Sequence, residues 1–230
     1  NTYHKTYNID KIYLDAYKQI STPAGQRYPD VNDAINKRVN KGSLIINYVG
    51  HGGETGWAEE RVLTNDDINS WTNINKLPVF ITATCEFSRW DDPARTSSGE
   101  KILLSSTGGG VALFSTTRLV FASSNEVLNR ALIKFMFDDP SFRLGDIMVA
   151  SKTDPGNLNL NTRNFSLLGD PALRLHYPKF SIEATQINAQ PIIALNDTLS
   201  SLEKVTIAGR IVKGGQVQSD FNGFLYPTVY

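Results

Sequence analysis

The chain has one cysteine, Cys85, and three histidines, one of which is His51. Each of these two residues stands just past an apolar run that reads as a β-strand. A thiolate is the attacking form of cysteine, and an imidazole titrates close enough to neutrality to take its proton. Within reach of each other, the two could form a nucleophile–base pair for acyl transfer. The histidine lies in Gly50-His51-Gly52-Gly53, where glycine lets backbone approach a ligand closely. The backbone N–H groups of Gly52 and Cys85 would then serve as donors to a developing oxyanion. Taken singly, the glycine run is also a tight turn, and a lone cysteine is also a small buried apolar residue. Taken together they favour the reactive pair, because the only cysteine shares a rim with one of three histidines.

The elements that must position the pair are legible as well. Leu44 to Val49 (LIINYV) and Leu77 to Thr84 (LPVFITAT) read as strands buried on both faces. In an open parallel sheet, active sites collect at the carboxyl ends of strands. The separation of 85 − 51 = 34 residues suits one crossover containing a helix. Upstream, Tyr7 to Leu14 reads as a strand. Val31, Ala34, Ile35 and Val39 recur at helical spacing, with Asp30 as cap and Gly42 as stop. Thr64 with Asp67 and Ser97 with Glu100 have capping-box spacing, the second opening a helix to Leu104. Gly108-Gly109-Gly110 is a tight turn into a third buried strand, Val111 to Ser115. Ser123 with Glu126 caps a longer helix carrying Val127, Ala131 and Phe135, and another helix covers Leu144 to Ala150.

Strands alternating with helices imply an α/β fold: a parallel sheet with helices on both faces. After Pro178 the pattern changes. Val205, Ile207 and Ile211 alternate with Lys204, Thr206 and Arg210, as in half-buried antiparallel strands. Residues 178–230, which number 230 − 177 = 53, read as the start of an all-β sandwich following a first domain over 1–177.

Composition narrows the function classes. Apolar residues make up 40% and charged residues 20%, as in an ordinary globular protein. Lys+Arg and Asp+Glu are each 23, a balance that argues against a nucleic-acid or anionic-membrane partner. There is no apolar stretch long enough to span a membrane. One cysteine excludes an internal disulfide and a multi-cysteine metal site. The histidines have no metal-ligand spacing, and Asp91-Asp92-Pro93 reads as a solvated turn rather than a calcium site. No metal or cofactor is expected.

Asn47-Tyr48-Val49-Gly50-His51-Gly52-Gly53-Glu54-Thr55-Gly56-Trp57 resembles the histidine segment of the gingipain-type cysteine peptidases, a family of the caspase-like clan. Val79 to Cys85 is similar to the family's cysteine segment. Leu167-Leu168-Gly169-Asp170-Pro171-Ala172-Leu173 resembles a segment near the end of its catalytic domain, ahead of an immunoglobulin-like domain. The likeness covers roughly residues 5 to 177. Around the cysteine, Glu86 to Pro93 is most similar to the PorU-type sortases of the type IX secretion system. The resemblance implies Cys85 as nucleophile, His51 as base, and the amides of Gly52 and Cys85 as oxyanion hole. It implies a substrate pocket walled by the loop Thr116 to Ala122, which carries Thr117; Trp57 and Trp90 are further pocket candidates because they lie near the reactive pair in sequence, and ordinary packing or a rim contact is the alternative for all three. It places the acid that orients the histidine upstream of the histidine segment, along with a first strand and helix expected to precede Asn1. Glu54 and Asp30 are the weak alternatives within the chain. It further implies a location on the outer face of the bacterial outer membrane. The expected partners are cargo proteins with C-terminal secretion signals, an anionic lipopolysaccharide acceptor and other secretion-system surface proteins. A plain cysteine protease and a non-catalytic scaffold are the competing readings.

Overall fold

The computed structural model describes residues 7–157, 159–192 and 202–223. They divide into two units. In the unit Asp10–Leu175, the hairpin β1 (Ile20–Thr22) and β2 (Gly25–Arg27) leads into α1 (Pro29–Lys41) and β3 (Ile45–Val49). A small three-stranded excursion follows: β4 (Gly52–Gly53), β5 (Gly56–Trp57) and β6 (Leu63–Thr64). Then come α2 (Asn65–Ser70), β7 (Val79–Ala83), α3 (Ser98–Leu104) and β8 (Ala112–Thr116). The unit ends with α4 (Ala122–Asp138), α5 (Leu144–Thr153), α6 (Leu160–Arg163) and β9 (Phe165–Leu168).

The main sheet has the order β3-β7-β8-β9. β3, β7 and β8 run parallel, and β9 runs antiparallel to β8. Every residue of β7 and β8 is buried, which is why both runs are apolar without alternation. Side chains still alternate between the two faces. Phe80 and Leu113 pack with Val31, Ile35 and Val39 of α1, Ile68 of α2 and Ile102 of α3. Val79, Ile81 and Phe114 pack with Leu128, Leu132 and Met136 of α4 and with Leu144 and Ile147 of α5. The chain thus adopts the α/β fold expected from its sequence, with helices on both faces. Both capping boxes expected from spacing are present, Thr64 with Asp67 and Ser97 with Glu100.

Several local expectations are corrected. Tyr7 to Leu14 forms no strand; only a 3-10 turn at Leu14–Ala16 appears, while Ile12 and Leu14 pack on the core and Asp10 pairs with Arg38. An alternating pattern with no partner strand has nothing to hydrogen-bond to. β3 is half-buried rather than buried on both faces, with Val49 57% exposed, because among the described residues it is the sheet's edge. Tyr28, not Asp30, is the N-cap of α1, since Pro29 at the first helical position fixes the start. Helix α4 begins at Ala122 with Phe121 as N-cap. Ser123 therefore lies inside it, and Glu126 pairs with Arg130 instead. Its buried apolar residues are Leu128, Ala131, Leu132 and Met136, with Phe135 packed against the core; of the expected positions only Val127 is exposed.

The other unit comprises the described residues of Asn1–Ile9 and His176–Tyr230. It contains an antiparallel sheet of β10 (Ser181–Ile187), β11 (Gln190–Pro191), β12 (Ile207–Lys213) and β13 (Gln216–Val217), in the order β11-β10-β12-β13. Phe180 meets Phe221 edge-on at 5.2 Å, and Arg210 pairs with Glu183 at 2.7 Å. Val212 is the only fully buried apolar side chain among the described residues of this sheet.

The triple-glycine segment is the tight turn that its sequence suggests. Gly109 has φ +106°, and a Cβ there would lie 2.0 Å from the Ile102 carbonyl oxygen. Asn73 clamps this turn from both sides: its Nδ2 donates to Gly109 O at 3.0 Å and its Oδ1 accepts from Gly109 N at 2.8 Å. Asn73 is buried, so Asn73→Ala strands a backbone donor and acceptor. We expect it to lower stability by about 1–3 kcal/mol, measured by urea denaturation against the parent protein.

Candidate active site

The offset between β3 and β7 is constant, from Ile45↔Val79 to Val49↔Ala83. Two residues past the last rung on each strand are His51 and Cys85. The Gly50 N–H carries the pairing one step further by donating to Ala83 O at 3.4 Å. Next, Gly52 closes on the end of β7: a Cβ at this position would lie 2.5 Å from Thr84 Oγ1 and 3.0 Å from Gly56 O. Only glycine permits that approach. Thr84 is buried, its hydroxyl has no partner, and its carbonyl accepts a short hydrogen bond from Thr116 Oγ1. The backbone entering Cys85 is therefore gripped by the histidine loop on one side and by β8 on the other.

The His51 carbonyl accepts two bonds, from Tyr48 Oη at 2.7 Å and from the Ala58 N–H at 2.8 Å. Burial, with a contribution from the charge of Glu60, holds the Tyr48 hydroxyl above its ordinary range, so it remains a protonated donor. The Tyr48 ring stacks on Trp57 at 4.3 Å and 4°. Trp57 is 1% exposed and also packs against Phe80 and Phe87. It belongs to the core and does not line a substrate pocket. Because Ala58 bonds to His51, Gly52↔Trp57 is the non-hydrogen-bonded pair of its ladder. The Gly52 N–H consequently points away from β5. The Cys85 N–H has no acceptor among the described residues.

Cys85 is half-buried, and its thiol donates to Val120 O at 3.7 Å. His51 is exposed, and no hydrogen bond joins the two side chains. The strands bring the pair to one rim, as their sequence spacing implies, but the thiol is turned toward β8. The cause is the turn that follows. Glu86 has φ 48°, its N–H donates to Arg118 O at 3.3 Å, and the Ser88 N–H donates to Thr116 O at 2.9 Å. Beyond the last rung only the backbones are constrained, and these bonds draw the cysteine turn toward β8.

Glu54 forms no hydrogen bond or ion pair with His51. Its carboxylate is 11% exposed and faces Arg89 at 3.0 Å through Oε1 and Arg95 at 3.0 Å through Oε2, the second contact lacking hydrogen-bond geometry. Its carbonyl accepts from the N–H and Oγ of Ser98, at 2.8 and 3.1 Å. Asp30, exposed in the first turn of α1, forms no hydrogen bond or ion pair with His51 either. Asp91 forms a two-point pair with Arg118, which holds its carboxyl below the usual range, and Asp92 accepts from the Ala94 N–H. Trp90 is 56% exposed, and Thr117 is half-buried with its N–H and Oγ1 both on Asn164 O. A cavity of about 510 Å³ opens beside His51, lined by Gly52, Glu59, Arg61 and Asp66 among others.

Sequence reasoning missed Tyr48, Thr84 and the Glu54–Arg89–Arg95 cluster. Only the last carried a signal, a carboxylate and two arginines flanking the two reactive segments. Glu54→Ala is expected to cost about 1–3 kcal/mol, since it removes partly buried charge-assisted contacts. Arg89→Ala should then cost less in that background than in the parent, a coupling that a urea-denaturation double-mutant cycle reads directly.

The sequence pattern of peptidase family C25 matches residues 1–176. No curated protein matches the chain. Among solved structures, the complex of the pro- and mature domains of Porphyromonas gingivalis RgpB superposes with a TM-score of 0.56 at 18% identity. That match covers 81% of this chain and 49% of the other. The Arg-specific cysteine proteinase gingipain R (RgpB) gives 0.52 at 18% identity, covering 81% and 48%. A third structure, of a protease, gives 0.52 at 20% identity, covering 65% and 39%. The chain thus spans about half the length of the gingipain structures it resembles. No helix among the described residues is long and apolar enough to cross a membrane. The match over residues 1–176, on a sheet that sets a histidine and the only cysteine at one rim, makes this chain a member of peptidase family C25, the gingipain family of cysteine peptidases.

Proposed function

We propose that the protein is a cysteine peptidase with Cys85 as nucleophile and His51 as base. The observation that supports this reading is the constant β3–β7 offset, whose last rung, Val49↔Ala83, lies two residues before His51 and Cys85. A change of χ1 rotamer takes the Cys85 thiol off Val120 O and toward the imidazole. His51 accepts the thiol proton, and the thiolate attacks the scissile carbonyl carbon. The resulting oxyanion is held by the Gly52 and Cys85 N–H groups. His51 returns the proton to the departing amine, the C–N bond breaks, and an acyl-thioester on Cys85 remains. An acceptor then attacks that thioester and the thiol is regenerated.

The finer reading concerns this acceptor. Supported by the sortase-like residues Glu86 to Pro93, we propose that the protein removes C-terminal secretion signals from type IX cargo. It would join the new carboxyl end to an anionic lipopolysaccharide at the outer membrane surface, alongside other surface proteins of that system. Residues 178–230 would open an immunoglobulin-like domain, a reading supported by the antiparallel sheet found there.

A peptidyl ketone electrophile is expected to label Cys85 stoichiometrically by intact mass. Labelling should be absent in Cys85→Ala and at least about 100-fold slower in His51→Ala, the usual contribution of a general base. Equal labelling of the parent and His51→Ala would assign the chain to the non-catalytic scaffolds. Mass spectrometry of processed cargo separates the two acceptors. A sugar-linked amide at the new C-terminus is the expected product, and a free carboxyl would make the enzyme a plain protease.

A further inference from the structure

We infer that Tyr48 is a positioning residue for the base: its hydroxyl holds the His51 backbone in register with the cysteine turn. This inference rests on the thiol–imidazole reading above and adds a residue to it. Among the described residues, Tyr48 is the only one whose side chain bonds to His51. The His51 carbonyl accepts from Tyr48 Oη at 2.7 Å and from the Ala58 N–H at 2.8 Å. On one side of His51 the Gly50 N–H donates to Ala83 O, and on the other Gly52 closes on Thr84. The peptide units flanking the histidine are thereby held, and only χ1 and χ2 remain for the imidazole to search.

The Tyr48 bond is not needed to satisfy the carbonyl. The Ala58 N–H already does so, and His51 is exposed, which leaves its second lone pair to water. Nor does packing need the oxygen, since a phenyl ring stacks on an indole equally well. Burial keeps the hydroxyl protonated, and its partner among the described residues is the carbonyl of the candidate base. A Cβ on Gly50 would lie 2.7 Å from that oxygen. Glycine there leaves the hydroxyl room to cross the strand end and reach residue 51.

The ring that carries the hydroxyl is anchored from the cysteine side. Tyr48 stacks on Trp57 at 4.3 Å and 4°, and Trp57 packs on Phe87 at 5.6 Å. Phe87 is fully buried two residues past Cys85, and its carbonyl accepts from the Gly99 N–H at 2.9 Å. Trp57 Nε1 is buried without a partner, so the indole is held by its ring contacts rather than by a hydrogen bond. One line of rings therefore runs beneath the rim, from the cysteine turn to the His51 carbonyl. Such bracing speeds a reaction by fixing geometry in advance, without touching the substrate.

The test times the labelling of Cys85 by a peptidyl ketone electrophile, read by intact mass over a range of probe concentrations. Tyr48→Phe removes the oxygen and keeps the ring. It should lower the limiting rate about tenfold, the worth of one hydrogen bond, and leave the half-saturating concentration unchanged. In the His51→Ala background the same substitution should change nothing, because Tyr48 acts through the histidine. A merely structural role would slow both backgrounds alike. Gly50→Ala crowds the same oxygen and should slow the parent in the same way, which carries the test should Tyr48→Phe fail to fold in a circular-dichroism melt. A Tyr48→Phe rate equal to the parent's, or equal losses in both backgrounds, overturns the inference and leaves the thiol–imidazole reading standing. If His51→Ala labels as fast as the parent, that reading falls and this one falls with it.

Discussion

β3 hydrogen-bonds to β7 over five rungs at a single offset, Ile45↔Val79 to Val49↔Ala83, and the rim chemistry hangs on that register. Side chains alternate with period two along a strand, so a slip of one residue would turn Ile46 and Tyr48 to the opposite face. Tyr48 would then lose its stack on Trp57 and its bond to the His51 carbonyl. The interior resists such a slip strongly. Phe80 is fully buried between the rings of Trp57 and Trp71, and Ile81 is fully buried on the other face. The offset is therefore set by the core and handed on to two reactive side chains that lie outside it.

Packing alone ends at the last rung, and polar contacts continue the alignment. Gly52 against Thr84 and the Glu54 carboxylate against Arg89 and Arg95 join the histidine loop to the cysteine loop. Beneath them, Thr82, Ser115 and Ser88 form a buried hydroxyl chain, with bonds of 2.6 and 2.7 Å onto Ser115 Oγ. Hydroxyls in a dry sheet cost stability unless paired. This chain ties β7, β8 and the cysteine turn together at the point where the apolar ladder stops.

Sequence alone showed the features that depend on local pattern. β7 and β8 announced themselves as unbroken apolar runs, the two capping boxes by their spacing, and His51 and Cys85 by standing at strand ends. What stayed hidden depends on partners distant in sequence. Trp57 resembled a rim residue because it follows the glycine run, yet the β4–β5 hairpin folds it back under Tyr48. Strand β9, antiparallel to β8, occupies a short stretch directly preceded only by the four-residue α6. Tyr7 to Leu14 has strand alternation but spends it on isolated contacts. The start of α4 was misread at Ser123 because Phe121 and Ala122 carry no capping signal, and the Phe121 N–H is instead satisfied by Asn161, 40 residues downstream.

The turn at Glu86 draws these strands of argument together. A left-handed backbone at a non-glycine residue costs about 1–2 kcal/mol, and here it is offset by the Glu86 and Ser88 amides bonding to Arg118 and Thr116. Those bonds turn Cys85 away from the ladder at the first residue where it could leave the sheet. They also draw the loop with Leu119 and Phe121 against the thiol. One strained residue therefore fixes where the Cys85 backbone sits and which loop lies beside it, while rotation about χ1 places the sulfur.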